Sequence, residues 1–167
     1  MKKERVDVID SNGTILRTVT RDDAHQKKLL HPVVRVFLFK KGEVYIQQRS
    51  LTKDIQPGKW EGSCSGHVDH GESEVKAIIR EAKEELGVKL EEKELMSVDH
   101  VLCEEPTHRT RIAIFIVANP NHKPSPKSKE VKQGKWVKVS WLTADVKKHP
   151  ELYAPGFVKS WKLVTSK

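Results

Sequence analysis

Three glutamates near the middle of the chain have the spacing of a metal site. Glu81, Glu84 and Glu85 fall within one turn of each other on a helix that rotates by about 100° per residue. Like charges at this spacing destabilise an isolated helix by roughly 0.2–0.5 kcal/mol per pair, and a bound cation removes that repulsion. Carboxylate oxygens are preferred ligands of Mg²⁺ and Mn²⁺. A solvated acidic face balanced by lysines is the alternative, but the clustering on one face favours the metal site.

A helix that ends at Gly87 must carry these glutamates. Ser73 is a candidate N-cap, and Gly87 is a candidate C-cap. Apolar residues occupy the neighbouring arc of this helix: Val75, Ile78, Ile79, Ala82 and Leu86. We therefore expect one face of the helix to pack on a core, while the adjacent face presents the carboxylates beside a glycine turn at Gly66.

The rest of the sequence predicts mainly strands joined by turns. Alternating apolar and polar residues predict a short peripheral hairpin over about residues 5–19 and a more buried hairpin from 33–39 and 44–48. Further strands are expected at 95–103, 111–117 and 135–139, with helices at 141–148 and 156–163. Residues 119–129 form a Pro- and Lys-rich segment typical of a surface loop.

Composition limits the class of protein. A chain of 167 residues with 37% hydrophobic content fits one compact domain over residues 1–167. No apolar run reaches the roughly 20 residues that span a bilayer, and no signal-peptide pattern follows the first residues, so we expect a cytoplasmic protein without a membrane partner. Two cysteines, Cys64 and Cys103, are too few for a disulfide framework and fit a reducing compartment.

The net charge of +8 suits the capture of polyanions. A positive field accelerates the binding of nucleotides and also favours nucleic acid. The excess lysines between residues 123 and 148 are scattered and form no Arg-rich stripe, so nucleic acid is the less favoured partner. The N-terminal hairpin and the helical C-terminus are candidate surfaces for a homodimer.

The segment 66–88 resembles the Nudix box. Its defined positions read Gly-x5-Glu-x7-Arg-Glu-Ala-x-Glu-Glu-x-Gly-Val. The resemblance implies an α+β fold, an α/β/α sandwich with a central mixed β-sheet flanked by helices. It also implies a MutT-like hydrolase that uses Mg²⁺, or Mn²⁺ in its place, to cleave the diphosphate linkage of a nucleoside diphosphate derivative or another small organic diphosphate.

The same resemblance implies roles for residues of the box. Glu81 and Glu85 would be the principal metal ligands, Glu84 would share a metal ion or a water, and Gly66 would add its carbonyl oxygen. Glu72 and Arg80 would pair and hold the loop against the helix. The catalytic carboxylates would be Glu81, Glu84 and Glu130, with the general base either Glu81 or Glu130; a plain surface carboxylate is the alternative for Glu130.

Motifs outside the box are similar to the branch of the family related to isopentenyl diphosphate isomerase. They are Ala24-His25, Leu30-His31-Pro32, Gln48-Arg49-Ser50, Lys53, Pro57-Gly58-Lys59-Trp60 and Gly66-His67. This resemblance places Arg49 and Lys53 on the substrate diphosphate, although Arg49 at a strand end could also form an ordinary salt bridge. It relates His25, His31 and His67 to a second metal site of the isomerases, with structural or substrate-facing histidines as the alternative.

The comparison with the isomerases also argues against isomerase chemistry. Their catalytic cysteine would fall at Ser65, and Cys64 lies one place early, where a strand turns its side chain to the opposite face. Their Glu-x-Glu pair would fall at Arg109 and Arg111. Isomerase is therefore the alternative function, and a catalytically silent nucleotide- or RNA-binding module is a second alternative, disfavoured by the intact acidic helix.

Overall fold

The computed structural model describes residues 3–119, 121–126 and 128–167. In chain order its strands and helices are β1 (Arg5–Ile9), β2 (Ile15–Thr20), α1 (Arg21–Gln26), β3 (Leu30–Lys40), β4 (Glu43–Arg49), β5 (Trp60–Glu61), β6 (Cys64–His67), α2 (Glu74–Leu86), β7 (Met96–Glu104), β8 (Arg109–Ala118), β9 (Val131–Lys138), α3 (Val139–Lys148) and α4 (Pro155–Thr165). Short 3₁₀ turns at Glu92–Glu94 and Pro150–Leu152 precede β7 and α4.

The main sheet is mixed. Its central strands β3 and β8 run parallel over ten paired positions, from Leu30 opposite Arg109 to Phe39 opposite Ala118. Strand β7 is antiparallel to β8, and β6 pairs antiparallel with the first half of β3. Strand β4 meets β3 only at the hairpin end and then pairs with β9 and β5. The sheet therefore splays apart between β4 and β6, and this opening becomes the site.

Helices cover both faces of the sheet. On one face, α2 packs its apolar side on β3 and β8 through Ile78, Ala82 and Leu86, which are at most 1% exposed. On the other face, α4 packs on β7 and β8 and α3 packs on β9, through buried residues that include Trp161 and Leu142. The predicted α/β/α sandwich with a mixed sheet is confirmed. None of the helices among the described residues is long and apolar enough to cross a bilayer.

The N-terminal hairpin is more than a peripheral attachment. Strands β1 and β2 form a separate two-stranded sheet, but Val6 is fully buried and forms a β-bridge with Asp69. The buried Asp7 carboxylate lies 2.8 Å from Nδ1 of His70. The hairpin thus clamps the loop that leads from β6 into α2, and His70 is an anchor of that loop although its ring remains largely exposed.

Several predicted elements differ in extent from those observed. The sequence analysis does not predict the six-residue helix α1, whose N-cap is Thr20, because a helix this short shows no helical period. Strand β9 begins at Val131, four residues earlier than predicted, because pairing with β4 rather than alternation defines it. Pro120 and Lys127 of the predicted loop at 119–129 lie outside the described residues, and the rest of that segment up to Lys129 contains no strand or helix.

Candidate active site

Helix α2 positions the acidic cluster. Ser73 caps its N-terminus by accepting a hydrogen bond from the Lys76 amide at 3.2 Å, and Gly87 ends it with φ of 65°. These are the predicted caps, and they fix where the helix starts and stops. The apolar stripe then turns Glu81 and Glu85 inward beside the core, whereas Glu84 stays at the exposed edge.

Gly66 on β6 lies directly against Glu81. A β-carbon at Gly66 would overlap the Glu81 carboxylate, so only glycine permits this approach of strand to helix. The contact brings the Gly66 backbone and the Glu81 oxygens to one point.

Glu85 is the most buried of the three glutamates, with 7% of its surface exposed. Its Oε2 accepts hydrogen bonds from Gln47 Nε2 at 3.0 Å and from Cys64 Sγ at 3.3 Å. Burial raises its pKa to about 8, and the charge of Glu61 adds to the effect. Burial also raises the pKa of Glu81 to about 7, although Arg80 partly offsets it.

Arg80 connects the helix to the preceding loop. Its Nε and Nη2 donate to the two oxygens of Glu72, both at 2.9 Å, and Nη2 also donates to the His67 carbonyl at 3.0 Å. Its Nη1 donates to Glu81 at 2.8 Å. The expected pair of Glu72 and Arg80 therefore forms, and it fixes the side-chain position of Glu81 as well.

The two expected diphosphate ligands have partners of different kinds. Lys53 forms an ion pair with Glu130, Nζ to Oε2 at 3.1 Å, and the Glu130 side chain is half exposed. Arg49 donates to the Ile55 carbonyl from Nε and Nη2, at 3.0 and 2.8 Å, and to both Glu61 oxygens from Nη1 at 3.3 Å. Lys53 can exchange Glu130 for a ligand at little cost, whereas Arg49 also serves as a brace between a loop and β5.

One cavity of about 270 Å³ gathers these residues. The predicted site residues that line it are Arg49, Lys53, Gly66, Arg80, Glu81, Glu84, Glu85 and Glu130. The acidic part offers the carboxylate oxygens of Glu81, Glu84 and Glu85, and the charge of Glu81 raises the pKa of Glu85 further. This donor set fits a hard divalent cation.

A sequence model of the NUDIX domain matches residues 29–155. This chain belongs to the Nudix family. Over 157 residues it is 35% identical to the isopentenyl-diphosphate Delta-isomerase of Dinoroseobacter shibae, an alignment that covers 84% of this chain and 82% of that protein. The predicted resemblance to the isomerase branch is confirmed.

Solved Nudix structures share the fold. DR0079 from Deinococcus radiodurans matches with a TM-score of 0.76 and 22% identity, covering 97% of this chain and 98% of that one. A MutT protein from Methanosarcina mazei Go1 matches with a TM-score of 0.70 and 19% identity, covering 84% and 96%. At these identities the likeness concerns the fold.

Three histidines meet at the start of the Nudix box, to which His67 itself belongs. The ligand atoms of His25, His31 and His67 all lie within 4.8 Å of one another, and Nε2 of His25 is 3.2 Å from Nε2 of His67. His31 hydrogen-bonds the Leu29 carbonyl through Nδ1 at 2.8 Å, which leaves its buried Nε2 unprotonated and without a partner among the described residues. Burial lowers the pKa of His31 to about 4 and that of His67 well below its ordinary value. Neutral imidazoles in this arrangement can hold a divalent metal ion.

The residues that would perform isomerase chemistry are arranged differently. Ser65 lines the cavity and donates to Glu61, whereas Cys64 packs into the core on the α2 side. Burial raises the pKa of the Cys64 thiol well above its ordinary value, which keeps it protonated. Arg109 pairs with Glu104 at the surface, and Arg111 Nη1 lies 3.7 Å from Glu74.

The sequence analysis missed three further polar residues at the site, Arg35, Gln47 and Glu61. Glu61 is a buried carboxylate that lines the cavity between Arg35 and Arg49, and Gln47 bridges it to Glu85. Only the polar character of Gln47 and Arg35 within apolar strands could have marked them, because a buried charge requires a partner. Their partners come from distant parts of the chain, which the sequence does not place together.

Proposed function

We propose that this protein is a Mg²⁺-dependent Nudix hydrolase that cleaves the diphosphate linkage of a nucleoside diphosphate derivative or of another small organic diphosphate. The observation that carries the proposal is the meeting of Glu81, Glu84 and Glu85 with Gly66 at the wall of a cavity that also contains Lys53. The carboxylate oxygens on one side of the cavity can hold a metal ion, and the Lys53 ammonium lies on the other side. A substrate whose phosphate oxygens lie between the metal ion and Lys53 would suit this arrangement.

The chain's own residues would divide the work as follows. Glu81, Glu84, Glu85 and the Gly66 carbonyl would hold Mg²⁺, with Mn²⁺ as a substitute. The bound ion would neutralise charge on the diphosphate and lower the pKa of a bound water. Lys53 would release Glu130 and bind a phosphate oxygen.

Arg49 and Arg80 have narrower roles in this proposal. Arg49 would present its remaining N–H to the diphosphate while it holds the loop through Ile55. Arg80, bound to Glu72, would keep Glu81 in position. Glu130, once released by Lys53, would act as the general base at the rim of the cavity, and Glu81 is the other candidate for that role.

A substrate panel tests the proposal. Product release would be measured with Mg²⁺ and with Mn²⁺ for nucleotide sugars, dinucleotides, nucleoside triphosphates, ADP-ribose, coenzyme A and isopentenyl diphosphate. Cleavage of a panel member that disappears in Glu85→Gln would support the hydrolase. If no panel member is cleaved but one of them binds tightly, the hydrolase proposal is wrong and the protein is a binding module.

Isopentenyl diphosphate isomerase is the second candidate. Two observations favour it: the relative from Dinoroseobacter shibae carries that name, and the three histidines described above share one site. The position of Ser65 and the burial of Cys64 oppose it, since neither offers a reactive thiol to the cavity. Conversion of isopentenyl diphosphate to its isomer, followed by proton NMR, would establish this function and overturn the first.

We place the enzyme in the cytoplasm, because both cysteines are free thiols and thiols stay reduced there. Its partner would be the small-molecule diphosphate rather than nucleic acid. A homodimer through the N-terminal hairpin and the helical C-terminus remains a prediction, and light scattering that gives only the 19.1 kDa species would contradict it.

A further inference from the structure

The first turn of α4 forms part of the wall of the active-site cavity. Ala154, Pro155 and Gly156 line the cavity, and α4 begins at Pro155 with Ala154 as an N-cap that has no side chain able to accept a hydrogen bond. The amides of Gly156 and Phe157 have no acceptor among the described residues. Such amides, together with the helix dipole, attract negative oxygen atoms.

A buried arginine reaches the same turn. Arg35 on β3 is 4% exposed and lines the cavity. Its Nη1 donates to Ser160 Oγ at 3.0 Å and lies 3.5 Å from the position that a β-carbon of Gly156 would take. Its Nε is buried and has no partner in the part of the chain that the structure describes. A buried N–H of a charged group without an acceptor is costly, so this wall of the cavity favours an oxygen ligand close to the Arg35 guanidinium.

The charges around this point do not cancel. Glu61 lies 3.7 Å from Nη2 of Arg35, but it also accepts from Arg49 at 3.3 Å, so one carboxylate faces two guanidinium groups. Glu61 further accepts from Ser65 and Gln47, which occupies its oxygens. The groups that remain available at this end of the cavity are therefore N–H donors.

We propose that the first turn of α4 and Arg35 form an oxyanion subsite that binds a second negative group of the substrate, a phosphate or a carboxylate. The inference rests on the proposed hydrolase function for its biological meaning. It restricts the substrate to a small organic diphosphate whose attached group carries a further oxyanion. A chain of polar contacts links the subsite to the carboxylates proposed to bind the metal ion. It consists of the ion pair of Arg35 with Glu61 at 3.7 Å and the hydrogen bonds from Gln47 to Glu61 at 3.4 Å and to Glu85 at 3.0 Å.

The subsite can be tested without catalysis. Sulfate would be titrated into the ¹⁵N-labelled protein in EDTA, since a metal-free acidic helix repels anions and leaves the α4 end of the cavity as the favoured position. We expect saturable shifts of the Gly156 and Phe157 amides and of the Arg35 Nε–H resonance. If these resonances do not move while that of Lys53 does, the inference is wrong.

Two variants address the subsite from different sides. Arg35→Gln removes the buried charge, and we expect sulfate affinity at the Gly156 amide to fall by about tenfold or more. Because Arg35 is buried, this variant could fail to fold, so Ala154→Asp provides a second route: its carboxylate would cap α4 and occupy the subsite with a negative charge. Arg109→Gln, which removes an exposed arginine outside the cavity, is the matched control and should bind sulfate as the parent does.

Matched substrate pairs connect the subsite to turnover. Coenzyme A is compared with dephospho-coenzyme A, and UDP-glucuronate with UDP-glucose, because each pair differs in one oxyanion. We expect the kcat/KM ratio of at least one pair to favour the anionic member by about tenfold, and Arg35→Gln or Ala154→Asp to bring that ratio close to one. An unchanged ratio in a folded variant would overturn the subsite. If no diphosphate is cleaved, the proposed function fails, and the sulfate titration still decides the subsite.

Discussion

Arg80 binds Glu72 through two parallel hydrogen bonds, Nε to Oε1 and Nη2 to Oε2, each 2.9 Å long. The same guanidinium donates to Glu81 at 2.8 Å and to the His67 carbonyl at 3.0 Å. One planar group therefore fixes the loop carboxylate of Glu72, the Glu81 carboxylate on α2 and the end of β6. This geometry requires a fork of donors, which lysine does not have.

Replacement of Arg80 by lysine should reduce activity more than stability. Lysine keeps the positive charge but cannot form the bidentate hydrogen bond. We therefore expect kcat/KM to fall by roughly 10- to 100-fold, which is the usual effect of losing a group that orients metal ligands. The free energy of unfolding should fall by about 2 kcal/mol. Arg109→Lys is the control, because Arg109 forms a comparable but exposed pair with Glu104. Equal losses in both variants would show that Arg80 has no special role.

The contact of Gly66 with Glu81 predicts the effect of one methyl group. Gly66→Ala would push the Glu81 carboxylate away from its position, so we expect Mg²⁺ affinity, measured by calorimetry, to fall by at least about tenfold. Gly71→Ala is the matched control. Gly71 has open space around it but φ of 80°, so alanine there should cost roughly 1 kcal/mol of stability and leave Mg²⁺ affinity intact.

Removal of metal should reveal a pH dependence caused by Glu81 and Glu85. Their pKa values are raised to about 7 and about 8, from an ordinary 4.5, chiefly by burial. Between pH 6.5 and pH 8 the folded state therefore binds more protons than the unfolded state. The free energy of unfolding must then decrease as the pH rises through this window, by about 2 kcal/mol.

Urea unfolding in EDTA at a series of pH values measures this slope, the dependence of the free energy of unfolding on pH. Glu85→Gln should flatten it, and saturating Mg²⁺ should remove it because the ion replaces the protons. Between about pH 4.5 and pH 6.5 His31, with its pKa lowered to about 4 by burial, gains a proton on unfolding, and this offsets about one of the two protons that Glu81 and Glu85 lose, so the free energy of unfolding should change less steeply with pH there. A flat profile above pH 6.5 in the metal-free parent would contradict the burial of these carboxylates.

Variants of Glu130 and Lys53 should affect different kinetic constants, kcat for the chemical step and KM for substrate binding. If Glu130 is the general base, Glu130→Gln lowers kcat by about 100-fold with little change in KM, whereas Lys53→Met raises KM because a phosphate ligand is lost. Glu104→Gln, a change of an exposed carboxylate paired with Arg109, is the control. A normal kcat in Glu130→Gln would assign the base to Glu81 and leave Glu130 as the ion-pair partner of Lys53.

The sequence by itself determined the features that depend on local spacing. The caps at Ser73 and Gly87, the apolar stripe of α2 and the acidic face follow from helical periodicity, so they appear in the structure as predicted. The main strands were found for the same reason, because alternation and β-branched runs are local signals.

Only the tertiary structure decided which distant groups share a site. Arg35, Glu61 and the first turn of α4 are far apart in the chain, and pairing of β3, β4 and β5 with packing of α4 brings them into one cavity. The three histidines meet for the same reason, since His25 lies on α1, His31 on β3 and His67 on β6. Burial is also a property of the folded chain: it raises the pKa of Glu85 and lowers that of His31, and no sequence pattern states how much water surrounds a side chain.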